Sequence, residues 1–240
     1  MRGRARTLVL MFHRLRAHST ECGFDVSMSL FRGYLDAITE GQLTNYGKQV
    51  MLTFDDGHVS DIELALPELM LRKLTAVFFV VPSLVGTTGY LAWDDVLTLE
   101  RCGMTIGSHT WSHRNLALTD RETLLFELGQ SKTGIENMLG VPVDFLALPG
   151  GFAPKAISCY AKSVGYSHVF TSRPGLWNGR SCLVPRVCVR STLAPEQMRD
   201  LVKGRPNEYY VRERVKYGVR AFLGPKLFSA AYDKWHRTRG

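Results

Sequence analysis

No apolar run in this 240-residue chain approaches the roughly 20 residues that a membrane-crossing helix needs. The longest candidate, Leu74 to Leu84, is about half that length and is broken by Pro82. Cysteine is scarce: there are five, an odd number, scattered and without a C-x-x-C pair, the closest two being Cys182 and Cys188. This argues against a disulfide framework and a structural zinc site, and fits free thiols in a reducing compartment. Internal repeats and low-complexity segments are absent. Basic residues followed by Leu8-Val9-Leu10-Met11-Phe12 superficially resemble a leader peptide, but the stretch is too short. His13-Arg14 ends it without a small-residue cleavage site, so it reads as a buried first strand in a protein expected to be cytoplasmic.

Acidic residues are outnumbered, 22 against 30 Lys and Arg, for a net charge of +8. Between Arg205 and Gly240 nine basic residues meet three acidic ones, so this tail holds six of the surplus charges and the body only two. A nucleic-acid partner is not expected, because the charge sits at one end and no recognition motif accompanies it. A basic tail on a nearly neutral body suggests instead an anionic surface met at that end. Within it, apolar positions 211, 215, 219, 222 and 223 recur at helical spacing until Gly224-Pro225 interrupts. Leu227, Phe228, Tyr232 and Trp235 then suggest a second short helix. Either the apolar face packs on the body, or residues 205–240 make a peripheral contact with anionic membrane.

What is abundant is alternation. Short apolar runs, expected as strands, fall at Thr7–Phe12, Gln49–Phe54, Thr75–Val81, Met104–Ser108, Phe145–Leu148, His168–Thr171 and Leu183–Val189. Helical stretches lie between and after them: Ser29–Glu40, Asp61–Arg72, Trp93–Cys102, Asp120–Leu139, Ala153–Ser163 and Pro195–Lys203. Thr119 followed by Glu122 reads as a capping box, and Pro195 suits a first helical turn. Repeated β-α units predict a parallel barrel or, failing that, an open sheet, with catalytic groups on the loops after the strands. The expected division is a domain over 1–204 and a basic helical extension over 205–240.

Three such loops carry polar or glycine-rich sequence. Thr53-Phe54-Asp55-Asp56-Gly57 ends a strand in paired carboxylates, which repel and call for a cation, although Asp-Gly is also an ordinary turn. His109-Thr110-Trp111-Ser112-His113 places two histidines four apart, a spacing suited to one metal, or to two merely hydrogen-bonded imidazoles. Leu148-Pro149-Gly150-Gly151-Phe152 is an ordinary loop or a source of exposed backbone N–H groups.

Together these segments resemble the polysaccharide deacetylases, the NodB-homology group of carbohydrate esterase family four. Residues 53–57 match the family's T-F-D-D-G motif at all five positions, and residues 109–113 match H-[ST]-x-x-H. Residues 148–152 look like a variant of the third motif, and Leu10–Arg14 like the family's Y-H-R strand, so the likeness runs from about Leu8 to about Val202. It implies an irregular (β/α)7 barrel that removes N-acetyl or O-acetyl groups from a sugar in a polysaccharide or a lipid-linked precursor. It implies Asp56, His109 and His113 as ligands of a divalent metal, zinc by default with cobalt or nickel tolerated. Asp55 would be the base, and the loop Pro149, Gly150 and Gly151, with Trp111, would meet substrate.

Two family features are missing. Leu146, Ala147 and Leu148 stand where an arginine usually contacts the base; Arg186 or Arg190 is the candidate replacement. The late Leu-x-His motif that supplies the general acid is absent, leaving His13 first and His58 second as substitutes. Arg186 is also carried as a substrate contact. Rival readings are an amide hydrolase of the same barrel group acting on a cyclic amide, and a glycan-binding homologue without catalysis.

Overall fold

The computed structural model describes residues 6–18, 23–43, 48–205 and 207–237. Its first strand, β1 (Thr7–Phe12), is apolar after Thr7 and buried throughout, as a parallel strand covered on both faces must be. A small parallel pair, β2 (Leu15–Arg16) and β3 (Val26–Ser27), leads into α1 (Met28–Leu43). Next come β4 (Gln49–Phe54), a π-helical turn at Asp61–Ala65, α2 (Leu66–Leu71), β5 (Ala76–Val80), α3 (Trp93–Arg101) and β6 (Thr105–Ser108). The chain continues through α4 (Arg121–Leu139), β7 (Phe145–Ala147), α5 (Ile157–Val164), β8 (His168–Phe170), β9 (Leu176–Trp177), β10 (Leu183–Val184) and β11 (Val187–Cys188). It ends in α6 (Pro195–Lys203) and α7 (Glu208–Arg237).

The main sheet runs β10-β8-β7-β6-β5-β4-β1-β11 with every neighbour parallel, and β9 adds antiparallel to β1. Its two ends, β10 and β11, are separated in sequence only by Pro185 and Arg186, so the sheet curls into a nearly closed barrel. The expectation of one strand over Leu183–Val189 is corrected here. Proline cannot donate a ladder hydrogen bond, and at Pro185 the chain leaves the β8 edge and joins the β1 edge.

Strand alternation sorts the core into two layers. Phe12, Phe54 and Phe78 are register partners whose rings stack across β1, β4 and β5, and they pack outward with Phe31 and Tyr34 of α1. Val9, Val77, Phe79, Ala147, Phe170 and Val184 form a second cluster inside the barrel. Since Phe54 points out, Thr53 and Asp55 point in, which is how β4 delivers a carboxylate to the barrel interior.

Two local expectations change. Helix α4 is capped by Asp120, whose side chain accepts the Thr123 N–H at 2.7 Å, rather than by Thr119. For helix α7, of the two alternatives open for its apolar face, packing on the body is not the one taken. Tyr209 is buried and its hydroxyl donates to Cys188 O at 2.7 Å, while buried Glu213 pairs with Arg190 at 3.3 Å. Val211, Val215, Val219 and Phe222 are left 57%, 60%, 54% and 91% exposed. Gly224 (φ 75°, ψ 168°) breaks the helix before Pro225, and helical backbone resumes to Arg237; the expected roles of Phe228, Tyr232 and Trp235 lie outside the described side chains. Among the described residues no helix is long and apolar enough to cross a membrane.

Packing inside the barrel gives a direct test. A Cβ on Gly107 of β6 would come within 2.5 Å of the Phe79 ring, whereas one on Gly129, mid-α4, meets nothing within 4 Å. Gly107→Ala should destabilise by about 1–3 kcal/mol through overpacking. Gly129→Ala should stabilise by about 0.5–1 kcal/mol from helix propensity. Urea denaturation of both variants checks the pair; equal midpoints would refute the packing.

Candidate active site

Asp55 lies at the C-terminal end of β4, where its N–H donates to Phe12 O at 2.9 Å and its carboxylate is buried. Arg186, itself wholly buried, reaches it from the β10–β11 seam. Nη1 donates to Oδ1 at 2.6 Å and Nη2 to Oδ2 at 2.8 Å, a bidentate fork. Nη1 also donates to Thr53 Oγ1 at 3.2 Å and Nε to Thr171 O at 3.1 Å, and the guanidinium lies over the adjoining Phe79 and Phe170 rings, 5.5 and 5.9 Å from their centroids. Burial pushes the Asp55 pKa up, but the Arg186 charge and hydrogen bonds outweigh it and hold the carboxyl below the ordinary range. Of the two roles considered for Arg186, the structure realises the charge beside Asp55; a fully buried side chain meets no substrate. Arg190 instead pairs with Glu213 and lies 4.1 Å over the Phe24 ring.

Asp56 turns the chain with φ 80°, a left-handed conformation that swings its carboxylate away from that of Asp55 and toward the next loop. Its Oδ1 lies 3.4 Å from His109 Nε2 and 3.2 Å from His113 Nε2, and the three ligand atoms all fall within 4.8 Å of one another. Tetrahedral zinc with bonds of about 2.0–2.1 Å places its ligands about 3.3 Å apart, so the spacing fits one ion. Two further observations agree. Asp56 Oδ1 is buried without a hydrogen-bond donor among the described residues. His109 Nδ1–H donates to Ala147 O at 3.0 Å, which fixes the tautomer and leaves Nε2 as a lone-pair donor.

The histidine loop is held in strained form, with Thr110 at φ 65° and His113 at φ 59°. Buried Glu127 of α4 staples it by accepting from Ser112 N–H at 2.8 Å and from the Ser112 hydroxyl. Sequence reasoning missed Glu127, yet a signal was there: a carboxylate on the helix face shared by Leu124, Leu128 and Ile135.

Around these groups opens a cleft of about 880 Å³. His13, Pro149 and Gly150 line it with Asp55, Asp56, His109 and His113. His13 is half-buried, its Nδ1 atom enclosed and unpartnered among the described residues; desolvation lowers its pKa, against the raising pull of Asp56 and Asp55. His58 also lines the cleft, but its Nδ1 accepts the Ser60 N–H at 3.1 Å and is committed to the loop. Gly151 sits beneath the turn, its N–H donating to Leu148 O at 2.9 Å and its φ at 69°. Trp111 does not line the cleft; its indole rests against Gly134 of α4. The opposite wall, unforeseen from sequence, is α7, through Glu213, Val215, Lys216, Val219, Arg220 and Leu223.

A polysaccharide deacetylase family model matches residues 43–169. Over 129 residues the chain is 28% identical to a chitin deacetylase of a Pestalotiopsis species, covering 49% of this chain and 43% of that protein. The chain spans less than half the length of the curated relatives it matches. Among solved structures, the Streptococcus pyogenes deacetylase PplD in complex with acetate superposes with a TM-score of 0.72 at 22% identity, covering 80% of this chain and 95% of that one. IcaB from Ammonifex degensii gives a TM-score of 0.66 at 22% identity, over 88% and 97%. These likenesses show the fold, the irregular barrel of the NodB-homology group.

The Arg186–Asp55 fork generates a prediction in the metal-free protein. Because the folded Asp55 pKa lies below its unfolded value, the pair's stabilisation is present above about pH 3.9 and is lost as pH falls through the folded value. Arg186→Met should leave a buried carboxylate unpaired, moving its pKa above the ordinary range and costing about 3–5 kcal/mol at neutral pH. Carboxyl-carbon NMR titration with chemical denaturation reads both; an unmoved Asp55 pKa would contradict the fork.

Proposed function

The chain belongs to the polysaccharide deacetylase family, and on that premise we propose that it hydrolyses N-acetyl groups from a sugar of a polysaccharide or lipid-linked glycan, using a divalent metal at Asp56, His109 and His113. The observation that carries this reading is one cleft holding three ligand atoms at metal spacing beside an ionised, anchored carboxylate. Zinc is the default ion for two imidazoles and a carboxylate, with cobalt or nickel tolerated.

The ion would supply Lewis acidity, making water more acidic and drawing charge from the acetyl carbonyl. Asp55 takes a proton from the water as it attacks the carbonyl carbon. Arg186 keeps that carboxylate ionised and aimed, at the cost of a weaker base. The developing oxyanion meets the Gly150 N–H; Pro149 has none to offer, and that of Gly151 is committed within the turn. The proton that Asp55 removed is relayed through His13 to the departing nitrogen, the C–N bond breaks, and acetate and an amine leave. A glycan-binding homologue would have no use for a buried, charge-compensated base at this position.

Variants separate the roles. Asp55→Asn should keep about one equivalent of zinc while acetate release from N-acetylated chitooligosaccharides falls by about 10²–10⁴-fold. Asp56→Asn and His113→Ala should lose both metal and turnover. Metal analysis alongside an acetate assay decides it: wild-type rates in Asp55→Asn would overturn the mechanism, and full zinc in His113→Ala would overturn the site.

A further inference from the structure

Helix α7 is mounted with the wrong face outward for an ordinary surface helix. An amphipathic helix buries its apolar stripe against the core. Here the barrel takes Tyr209 and Glu213, and Arg220 lies 4.2 Å over the Phe152 ring. Val211, Val215, Val219 and Phe222 remain outside at spacings of four, four and three residues, one stripe running along three turns. Single exposed apolar residues need no explanation, whereas a continuous stripe marks a surface that something covers.

Charge narrows what that is. Arg212 and Arg214 are exposed on either side of the stripe, and residues 205–240 carry a surplus of six positive charges. A second copy of the chain would bring the same positive surplus against itself, which like-charge repulsion opposes. An apolar stripe bordered by arginine and bearing an almost fully exposed phenylalanine fits the boundary of an anionic bilayer, where rings enter the acyl region and guanidinium groups meet phosphates.

Position adds the functional consequence. Val215, Val219 and Leu223 belong at once to the exposed side of α7 and to the cleft wall. Tyr209 and Glu213 clamp the helix to β11 and to Arg190, so its orientation toward the metal-ligand loops is fixed. A surface that receives the stripe therefore lies against the mouth of the cleft. We propose that α7 seats the protein on an anionic phospholipid membrane with the cleft opening toward the lipid, and that its substrate is an acetylated sugar carried on that membrane. The docking rests on α7 alone; the substrate class rests also on the deacetylase reading.

The test uses the full chain with vesicles of phosphatidylcholine alone, or of equal parts phosphatidylcholine and phosphatidylglycerol. Two double variants touch no cleft residue: Val211→Gln with Phe222→Gln, and Arg212→Gln with Arg214→Gln. Wild type should sediment with the anionic vesicles and not the neutral ones, less so as salt rises. Removing both arginines should weaken partitioning about 30-fold, and removing both apolar residues by at least about tenfold. Acetate release from a soluble chitooligosaccharide should be unchanged in both variants, which also shows that they fold. Release from an N-acetylglucosaminyl lipid in anionic vesicles should fall with binding. Equal sedimentation with both vesicle types, or variants that bind like wild type, would overturn the docking. So would a lipid-free dimer that Val211→Gln with Phe222→Gln dissolves. Vesicle binding without faster turnover of the glycolipid would overturn the substrate class. Vesicle binding by a protein that releases no acetate from either substrate would instead sink the deacetylase reading and leave the docking standing.

Discussion

The guanidinium of Arg186 and the carboxylate of Asp55 meet inside the barrel at the seam where its sheet closes, and much else follows from that contact. Two charges withdrawn from water gain little net stability, because desolvation consumes most of the Coulombic attraction. Their value lies in what each would cost alone. Arg186 sits between β10 and β11, so closure of the sheet and compensation of Asp55 come about together. A barrel that opened at Pro185 would withdraw the cation from a buried anion. The fork also bonds Thr53 and Thr171, tying β4 to the loop after β8 across the barrel interior.

Around this pair, strand alternation does the positioning. The ring stack of Phe12, Phe54 and Phe78 fixes the outward face of three neighbouring strands. Their inward positions must then be Met11 and His13, Thr53 and Asp55, and Val77 and Phe79. The residues beyond the strand ends are bent back by left-handed backbone at Asp56, Thr110 and His113, conformations that cost free energy in residues with a Cβ. They persist because rigid neighbours over-determine them: Ala147 O holds the His109 ring and Glu127 holds Ser112. Strain is concentrated where the Asp56 carboxylate and the His109 and His113 imidazoles converge.

The parts of this arrangement that were legible in the sequence are those encoded locally. β1 and β4 fall where their apolar runs end, and the two motif loops come together because both follow parallel strands. What was not legible depends on separations no periodicity records. The partner of Asp55 was left open between Arg186, 131 residues away, and Arg190, and the run Leu183–Val189 reads as one strand because its composition does not say that a barrel closes at Pro185. Trp111 follows the same limit: a loop aromatic between two histidines invites a place in the cleft, while its ring packs on Gly134, a gap visible only once α4 is in place. In α7 the period was readable but the phase was not. Valine spacing marks a stripe without stating which side of the helix the barrel takes.

The phase of α7 has a physical reason. The rim it lies on is polar, offering the Cys188 carbonyl and the Arg190 guanidinium, which stacks on Phe24 and cannot move freely to solvent. A valine stripe laid over these groups would bury an unsatisfied carbonyl and an unpaired cation, which costs more than the apolar burial returns. Tyr209 and Glu213 answer both groups, and Lys216 adds a second cation to Glu213 at 2.8 Å. Once they face inward, helical geometry obliges Val211, Val215 and Phe222 to face outward, since a rigid helix cannot turn one face without the other. The free energy of the exposed stripe is therefore left to an interaction outside the barrel, at the same wall that frames the cleft.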